Sequence, residues 1–388
     1  MTSIVRNIKT ISVLFLLLLL GQCKETYVSP YKSPATGYLV VEGYIAAGPT
    51  RFTISRVIAL PGDSSIPTES HAKVQVEGND NSVYPLTEKG NGVYSADTLP
   101  LNATGQYRLR IQTNNGEAYL SDYTSFRVTP AIDSISWQQL GDGVHIYANT
   151  HDPANATRYY QWQFDETWQY HMAEFSYYKF QPKNDTYPRD TVVLRADTDF
   201  VYNCWSSAVS TPLLLGSSAK LAQDVIYLAP LQVIYNGTQR LDELYSILVR
   251  QYALTKDAYD YLSLMKANSE SLGSIFDAQP TVLKGNIHCL NNPGEPVIGY
   301  ISAGTIQQQR IFIRRGQLSY WTYNIACEGI DTFVRVGKQD TFFKFGSFTP
   351  LDIMLFDGRP VGWTANQNSC IDCRVLGGVT KRPSFWPN

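Results

Sequence analysis

Gln106-Tyr107-Arg108-Leu109-Arg110-Ile111-Gln112 alternates apolar and polar side chains without a break. An extended strand puts every second side chain on one face, so Tyr107, Leu109 and Ile111 belong to a core while Arg108 and Arg110 belong to water. Lys73-Val74-Gln75-Val76 has the same pattern upstream. Around these two segments, short runs at 38–44, 51–57, 92–94, 118–121 and 126–128 are separated by Gly, Pro, Asn or Asp. Strands at that spacing predict an N-terminal immunoglobulin-like β-sandwich over residues 37–130, with Pro130 opening a hinge.

Residues 131–388 are expected to form a second, larger β-sandwich-like domain with a helical insertion. It opens with 132–138 and 144–148, joined across Gly141-Asp142-Gly143 as a hairpin. An aromatic block follows at 159–180, in which Tyr160, Trp162 and Phe164 alternate as on a strand. Further strands are expected at 191–195, 225–228, 246–252, 285–289, 297–302, 310–314 and 332–336. The helix is expected near 255–270: Thr255 is a suitable N-cap, Asp257 stands in the first turn, and Ala258, Tyr261, Leu262 and Met265 share one face. Phe385 and Trp386, between Pro383 and Pro387, mark a tail wrapped on the body.

Composition agrees with a β-rich exported chain. The 388 residues are 44% hydrophobic and only 17% charged, against about a quarter charged in an ordinary soluble domain, which excludes disorder. Tyr (26), Phe (16) and Trp (7) far outnumber Met (4), and rings suit pleated surfaces. The net charge is -2, and basic residues cluster only in pairs such as Arg314-Arg315 and Lys381-Arg382. A nucleic-acid partner held through phosphates is therefore not expected.

The amino end carries an address. Arg6 and Lys9 precede an apolar run from Ile11 to Leu20, too short for the roughly 20 residues that span a bilayer and right for a signal peptide. Leu20-Gly21-Gln22-Cys23 is similar to a bacterial lipobox, with Gln22 where a small residue is usual. Residues 1–22 are read as a lipoprotein signal peptide, Cys23 as the lipidated first mature residue, and 23–36 as a tether containing Pro30 and Pro34. Lys24 and Glu25 resemble the signal that directs Bacteroidota lipoproteins to the cell surface.

Five features together bring a family into view: the lipobox; Leu39-Val40-Val41-Glu42-Gly43; Cys204-Trp205; Gly285-Asn286-Ile287-His288-Cys289 followed by Asn292 through Tyr300; and Cys370-Ile371-Asp372-Cys373-Arg374 with terminal Pro383-Ser384-Phe385-Trp386. The chain resembles the Bacteroidota outer-membrane lipoprotein family of unknown function (domain of unknown function 4249), encoded beside TonB-dependent receptors. The resemblance implies a lipid-anchored protein of the outer membrane acting as a non-enzymatic accessory or ligand-binding partner of a TonB-dependent transporter in nutrient uptake; the cell surface is the expected face, with the periplasmic face as the alternative. A surface glycan- or peptide-binding lipoprotein acting without a transporter is the alternative. A hydrolase with carboxylates scattered in sequence is the third.

Besides Cys23, five cysteines remain: Cys204, Cys289, Cys327, Cys370 and Cys373. Export makes disulfides the default, and five thiols leave one over. The preferred pairing joins Cys327 to Cys370 or Cys373, stapling the tail, and Cys204 to Cys289. A redox role for Cys370-Ile371-Asp372-Cys373 is disfavoured because no helix is suggested there. Zinc at His288, Cys289, Cys370 and Cys373 is disfavoured because adjacent ligands make a poor pair. No Gly-x-Ser-x-Gly, His-Glu-x-x-His or phosphate loop occurs, and Asp165-Glu166 and Asp197/Asp199 suit turns and surfaces better than a glycosidase pair. Neither catalysis nor a cofactor or metal is expected. The best ligand-binding candidates are Trp168, Tyr170, Tyr177 and Tyr178, rings in a stretch expected to be irregular.

Overall fold

A computed structural model of the chain describes residues 37–57, 66–270, 284–323, 327 and 332–387. Cys23 and the tether lie outside the described residues. Strand outweighs helix, 49% against 11%, so the chain is mainly β. Among the described residues no helix is long and apolar enough to cross a membrane.

The strands open with β1 (Leu39–Ala46), β2 (Thr50–Arg56), β3 (Lys73–Gly78), β4 (Val83–Gly90), β5 (Val93–Ala96), β6 (Gln106–Gln112), β7 (Ala118–Ser121) and β8 (Thr124–Arg127). Next come β9 (Ile132–Gln139), β10 (Gly143–His151), β11 (Tyr159–His171), β12 (Tyr178–Gln181), β13 (Thr191–Leu194), β14 (Asn203–Val209), β15 (Leu214–Ser217), β16 (Val225–Tyr235) and β17 (Leu244–Ala253). Helix α1 (Lys256–Glu270) precedes β18 (Ile287–Cys289), β19 (Ala303–Gly304) and β20 (Ile306–Arg314). The last elements are β21 (Thr332–Arg335), α2 (Gln339–Phe343), β22 (Phe348–Phe356), β23 (Arg359–Gln367) and α3 (Asn368–Ile371).

Strands β1–β8 form one hydrogen-bonded sheet with β18 and β19, in the order β18-β7-β6-β3-β4-β5-β2-β1-β19-β8. Because β8 also pairs with β6, the path returns to a strand it has already passed. The inward side chains of β6 are those its alternation names: Tyr107, Leu109 and Ile111 meet Leu39, Val41, Phe52, Ile54 and Val76 in one core. Two features depart from expectation. The strands expected to form two separate sheets are joined in a single ladder. The unit also does not end at residue 130: β19 pairs parallel with β1 (Ile45 opposite Ala303) and β18 pairs with β7 (Cys289 opposite Tyr119). A parallel neighbour must arrive by a crossover, and this one comes from more than 150 residues away. Gly285 and Gly299 permit the return, since a Cβ on Gly285 would stand 1.8 Å from the Gly299 carbonyl and one on Gly299 2.3 Å from that of Val41.

The second unit packs sheet β16-β10-β9 against β14-β11-β17-β20, with β15 also pairing β11. Val144, Ile146 and Ile234 from one sheet meet Tyr160, Trp162, Phe164, Tyr245, Ile247 and Val249 from the other. Helix α1 sits where its pattern placed it, with the Ala258 N–H donating to the Thr255 hydroxyl (3.2 Å) and Ala258 and Tyr261 buried. Strands β12 and β13, the sheet β21-β23-β22 and α2 form a third, smaller assembly around Val334, Phe343 and Ala365, with Phe180 and Val192 against them.

The cysteines correct the preferred pairing in part. Cys327 bonds Cys370 (Cα–Cα 5.3 Å), but Cys204 bonds Cys373 (6.2 Å) and Cys289 is a buried free thiol. The reason is topological: Cys289 is on β18 in the first unit, whereas Cys204 is on β14 in the second. A short helix, α3, carries Cys370, contrary to the expectation of none. The tail does wrap on the body: Trp386 is buried against Trp205, Leu244 and Phe312, and its indole N–H donates to Gln169 Oε1 (3.0 Å).

Candidate functional site: a cleft between two β units

Strands β11 and β17 lie side by side in the five-stranded sheet, with Gln161 opposite Tyr252, Gln163 opposite Arg250 and Asp165 opposite Leu248. Tyr160, Trp162 and Phe164 point into the core, so period two turns Gln161, Gln163, Asp165, Arg250 and Tyr252 to the outer face. That face is the floor of a cleft of about 760 Å³. One wall is the outward face of β1 and β2, with Val40, Glu42, Tyr44, Arg51 and Thr53. The other is α1, with Tyr261, Leu262 and Met265, joined by Gly299 and Tyr300. The volume is that of a small-molecule site.

Polar groups in the cleft are held in place. Arg250 Nη1 donates to Asp165 Oδ1 (2.9 Å) and Nη2 to Oδ2, a fork-on-carboxylate pair. The Asp165 hydrogen bonds raise the Arg250 pKa further, so its charge is permanent. Tyr252 Oη donates to Gln163 Oε1 (3.1 Å), which aims the Gln163 amide. The Tyr44 and Tyr252 rings meet edge to face at 5.0 Å, and Tyr261 and Tyr300 stand 5.5 Å apart. The Gly299 N–H donates to Tyr261 Oη (2.8 Å), tying the helix to the returning segment. Burial pushes the Tyr44, Tyr252, Tyr261 and Tyr300 phenols up, so all four are neutral at physiological pH. The cleft thus offers amides, a fixed ion pair and ring edges. That donor set is chemically suited to a polar ligand with apolar faces, such as a saccharide or a peptide.

The four aromatic candidates from the sequence are not brought together there. Trp168 and Tyr170 are not in an irregular stretch: β11 runs through His171, and both rings are buried in the core. Arg240 stands over the Trp168 ring (5.2 Å), and Tyr170 Oη faces the Cys373 carbonyl (3.5 Å). Tyr177 is exposed and packs edge-on against Phe175 (4.8 Å), and Tyr178 is half-buried on β12. What hid the length of β11 was Glu166, a charged residue at an inward position, held by Arg240 (2.9 Å) and the Tyr245 hydroxyl (2.8 Å). Asp165 and Glu166 consequently point to opposite faces and form no pair. The zinc set is likewise dispersed, since Cys370 and Cys373 are in disulfides and Cys289 is in the first unit.

Among the described residues, the ligand atoms of His171, Asp242 and Glu243 lie within 4.8 Å of one another, a spacing that could hold a metal ion. The buried Asp242 carboxylate already faces His171 Nδ1 (2.6 Å) and Arg315 Nη1 (3.6 Å). The His171 backbone N–H also donates to Asp242 Oδ2 (3.0 Å).

By class this is a mainly β protein whose two larger units meet at an open, polar and ring-lined cleft. The chain belongs to the family described as "Domain of unknown function (DUF4249)", which matches residues 24–310 and so takes in both walls and the floor of the cleft. No curated protein matches the chain. Among solved structures, a Salmonella alpha-2-macroglobulin mutant is similar over 60% of this chain and 14% of its own, at 10% identity and a TM-score of 0.18. The chitinase ChiA74 from Bacillus thuringiensis is similar over 53% and 29%, at 10% identity and a TM-score of 0.16. The chain spans less than a third of either protein, and likenesses of that size carry no argument about fold or activity.

Proposed function

We propose that this chain is an outer-membrane lipoprotein, anchored through Cys23 at the cell surface, that binds a ligand without transforming it and serves as the accessory of a TonB-dependent transporter. The observation that carries the binding role is the cleft: about 760 Å³, with Gln161, Gln163, Asp165, Arg250 and tyrosine edges facing one space. The address rests on Arg6, Lys9, the Ile11–Leu20 run and the Leu20-Gly21-Gln22-Cys23 motif. We read the two larger units as β-sandwich-like, the first with its sheets joined at the edges and the second as two sheets sharing one core. Anchoring makes contact with a neighbouring transporter effectively intramolecular, so a weak interface suffices.

The test is purification of the native protein from detergent-solubilised membranes, with mass spectrometry of its amino-terminal peptide. The expected result is a diacyl-modified Cys23 and stoichiometric recovery of a TonB-dependent receptor. Recovery of the lipoprotein alone, with measurable glycan or peptide affinity, moves the assignment to a surface binder acting without a transporter. An unmodified Cys23 removes the anchor.

A further inference from the structure

Strands β22 and β23 end in a two-residue turn, Asp357-Gly358, with Phe356 opposite Arg359. Their φ values of 50° and 71° suit Asp-Gly in a tight hairpin. The chain next to the turn is unlike an ordinary loop tip. Met354, Leu355 and Phe356 are consecutive and 43%, 56% and 75% exposed, Val361 across the hairpin is 37% exposed, and Val336 on the neighbouring strand end is 52% exposed. The Val336 N–H donates to the Val361 carbonyl (3.1 Å), and Arg335 lies opposite Gly362, which lies opposite Met354, so these residues occupy one end of the three-stranded sheet. A run of three exposed apolar residues needs a function to offset its aggregation hazard.

Shape and charge select the occupant. The end of a hairpin is convex, so a protein partner would need a matching pocket, whereas a bilayer accepts a convex apolar tip without one. Around the tip, Arg335, Lys338 and Arg359 flank Asp357, while Asp352 lies farther down β22 and Asp340 in α2. Four residues of each strand extend about 13 Å, comparable with the 5–10 Å to which interfacial elements enter the boundary between headgroups and acyl chains. From Cys23 to Gly37 are fourteen residues, a reach of at most about 50 Å, which keeps the body near the bilayer if Cys23 is lipidated. We propose that the β22–β23 tip is a membrane-contact finger. Leu355, Phe356 and their neighbours enter the acyl boundary of an anionic bilayer while Arg335, Lys338 and Arg359 meet lipid phosphates, giving the anchored protein a second point of attachment and a fixed orientation. This rests on the membrane address proposed above and goes beyond it.

The test removes the lipid, so it does not depend on modification of Cys23. Residues 23–388 carrying Cys23→Ser, which keep every residue described here, are floated with vesicles of phosphatidylethanolamine and phosphatidylglycerol (3:1) and with neutral phosphatidylcholine vesicles. The expected result is co-flotation with the anionic vesicles, reduced at least tenfold by Leu355→Ser/Phe356→Ser and severalfold by Arg335→Glu/Lys338→Glu, with thermal unfolding unchanged in both. Equal flotation of parent and Leu355→Ser/Phe356→Ser overturns the proposal. So does a variant that keeps its vesicle binding but no longer recovers a membrane protein that the lipid-anchored parent does, because the occupant is then that protein.

Discussion

Trp386→Ala is the most informative single change for the packing argument, because its neighbour Phe385 supplies an internal control. Trp386 is buried against Trp205, Leu244 and Phe312, with ring centroids at 6.4 Å from Trp205 and 5.7 Å from Phe312. Truncating a buried Trp costs about 3–5 kcal/mol through lost transfer energy and the cavity left behind. The lost indole hydrogen bond to Gln169 adds about 1 kcal/mol. Phe385, one residue earlier, is partly exposed and lies over the Arg310 guanidinium at 3.7 Å, a contact of about 0.5–1 kcal/mol at an exposed site. Urea denaturation should therefore show Trp386→Ala destabilised several times more than Phe385→Ala. Limited proteolysis should show its tail cleaved beyond Gly378, because a tail without its plug opens locally before the body unfolds. Equal effects of the two substitutions, or a Trp386→Ala loss below about 1 kcal/mol with the tail still protected, would refute the plug.

Peptide mapping without reduction should recover Cys204 linked to Cys373 and Cys327 linked to Cys370, with Cys289 alkylated only after denaturation; a Cys204–Cys289 peptide would contradict the topology. Cys204→Ser opens a loop of 169 residues and is expected to cost about 5 kcal/mol from chain entropy, measured by denaturant unfolding under oxidising conditions. Arg250→Ala breaks a part-exposed ion pair worth less than about 1 kcal/mol, so stability should hardly change while calorimetric affinity for a cleft ligand falls at least tenfold; unchanged affinity would move the ligand elsewhere. The hydrogen bond and charge of Asp133 raise the His151 pKa. Its stabilising contribution is therefore fully present below the unfolded-state value near 6.5 and lost as pH rises through the folded one. Proton NMR should show the His151 pKa fall in Asp133→Asn.

Several elements were legible because a local period sufficed. The alternation at 106–112 named the inward face of β6, and the Thr255 cap with Ala258, Tyr261, Leu262 and Met265 located α1. Others failed for identifiable reasons. Glu166 broke the alternation of β11 because a buried carboxylate is tolerable only when Arg240 and Tyr245 meet it, and both lie on later elements. Trp168 and Tyr170 consequently looked like loop rings when they are core. The hairpin β22–β23 is marked in the sequence by Asp357-Gly358 between apolar runs.

Read alone, the order of residues determined the mainly β character and the place of helix α1. These depend on periods, caps and counts, all local quantities. Tertiary structure decided that β18 and β19 return to the first unit, that Cys373 rather than Cys289 meets Cys204, and that Gln161, Gln163 and Arg250 share a cleft with Glu42 and Tyr44. Such choices are made by strand pairing between segments as far apart as Ile45 and Ala303, where the free energy lies in edges satisfied and faces covered, and nothing within a ten-residue window records which edge a distant strand will find.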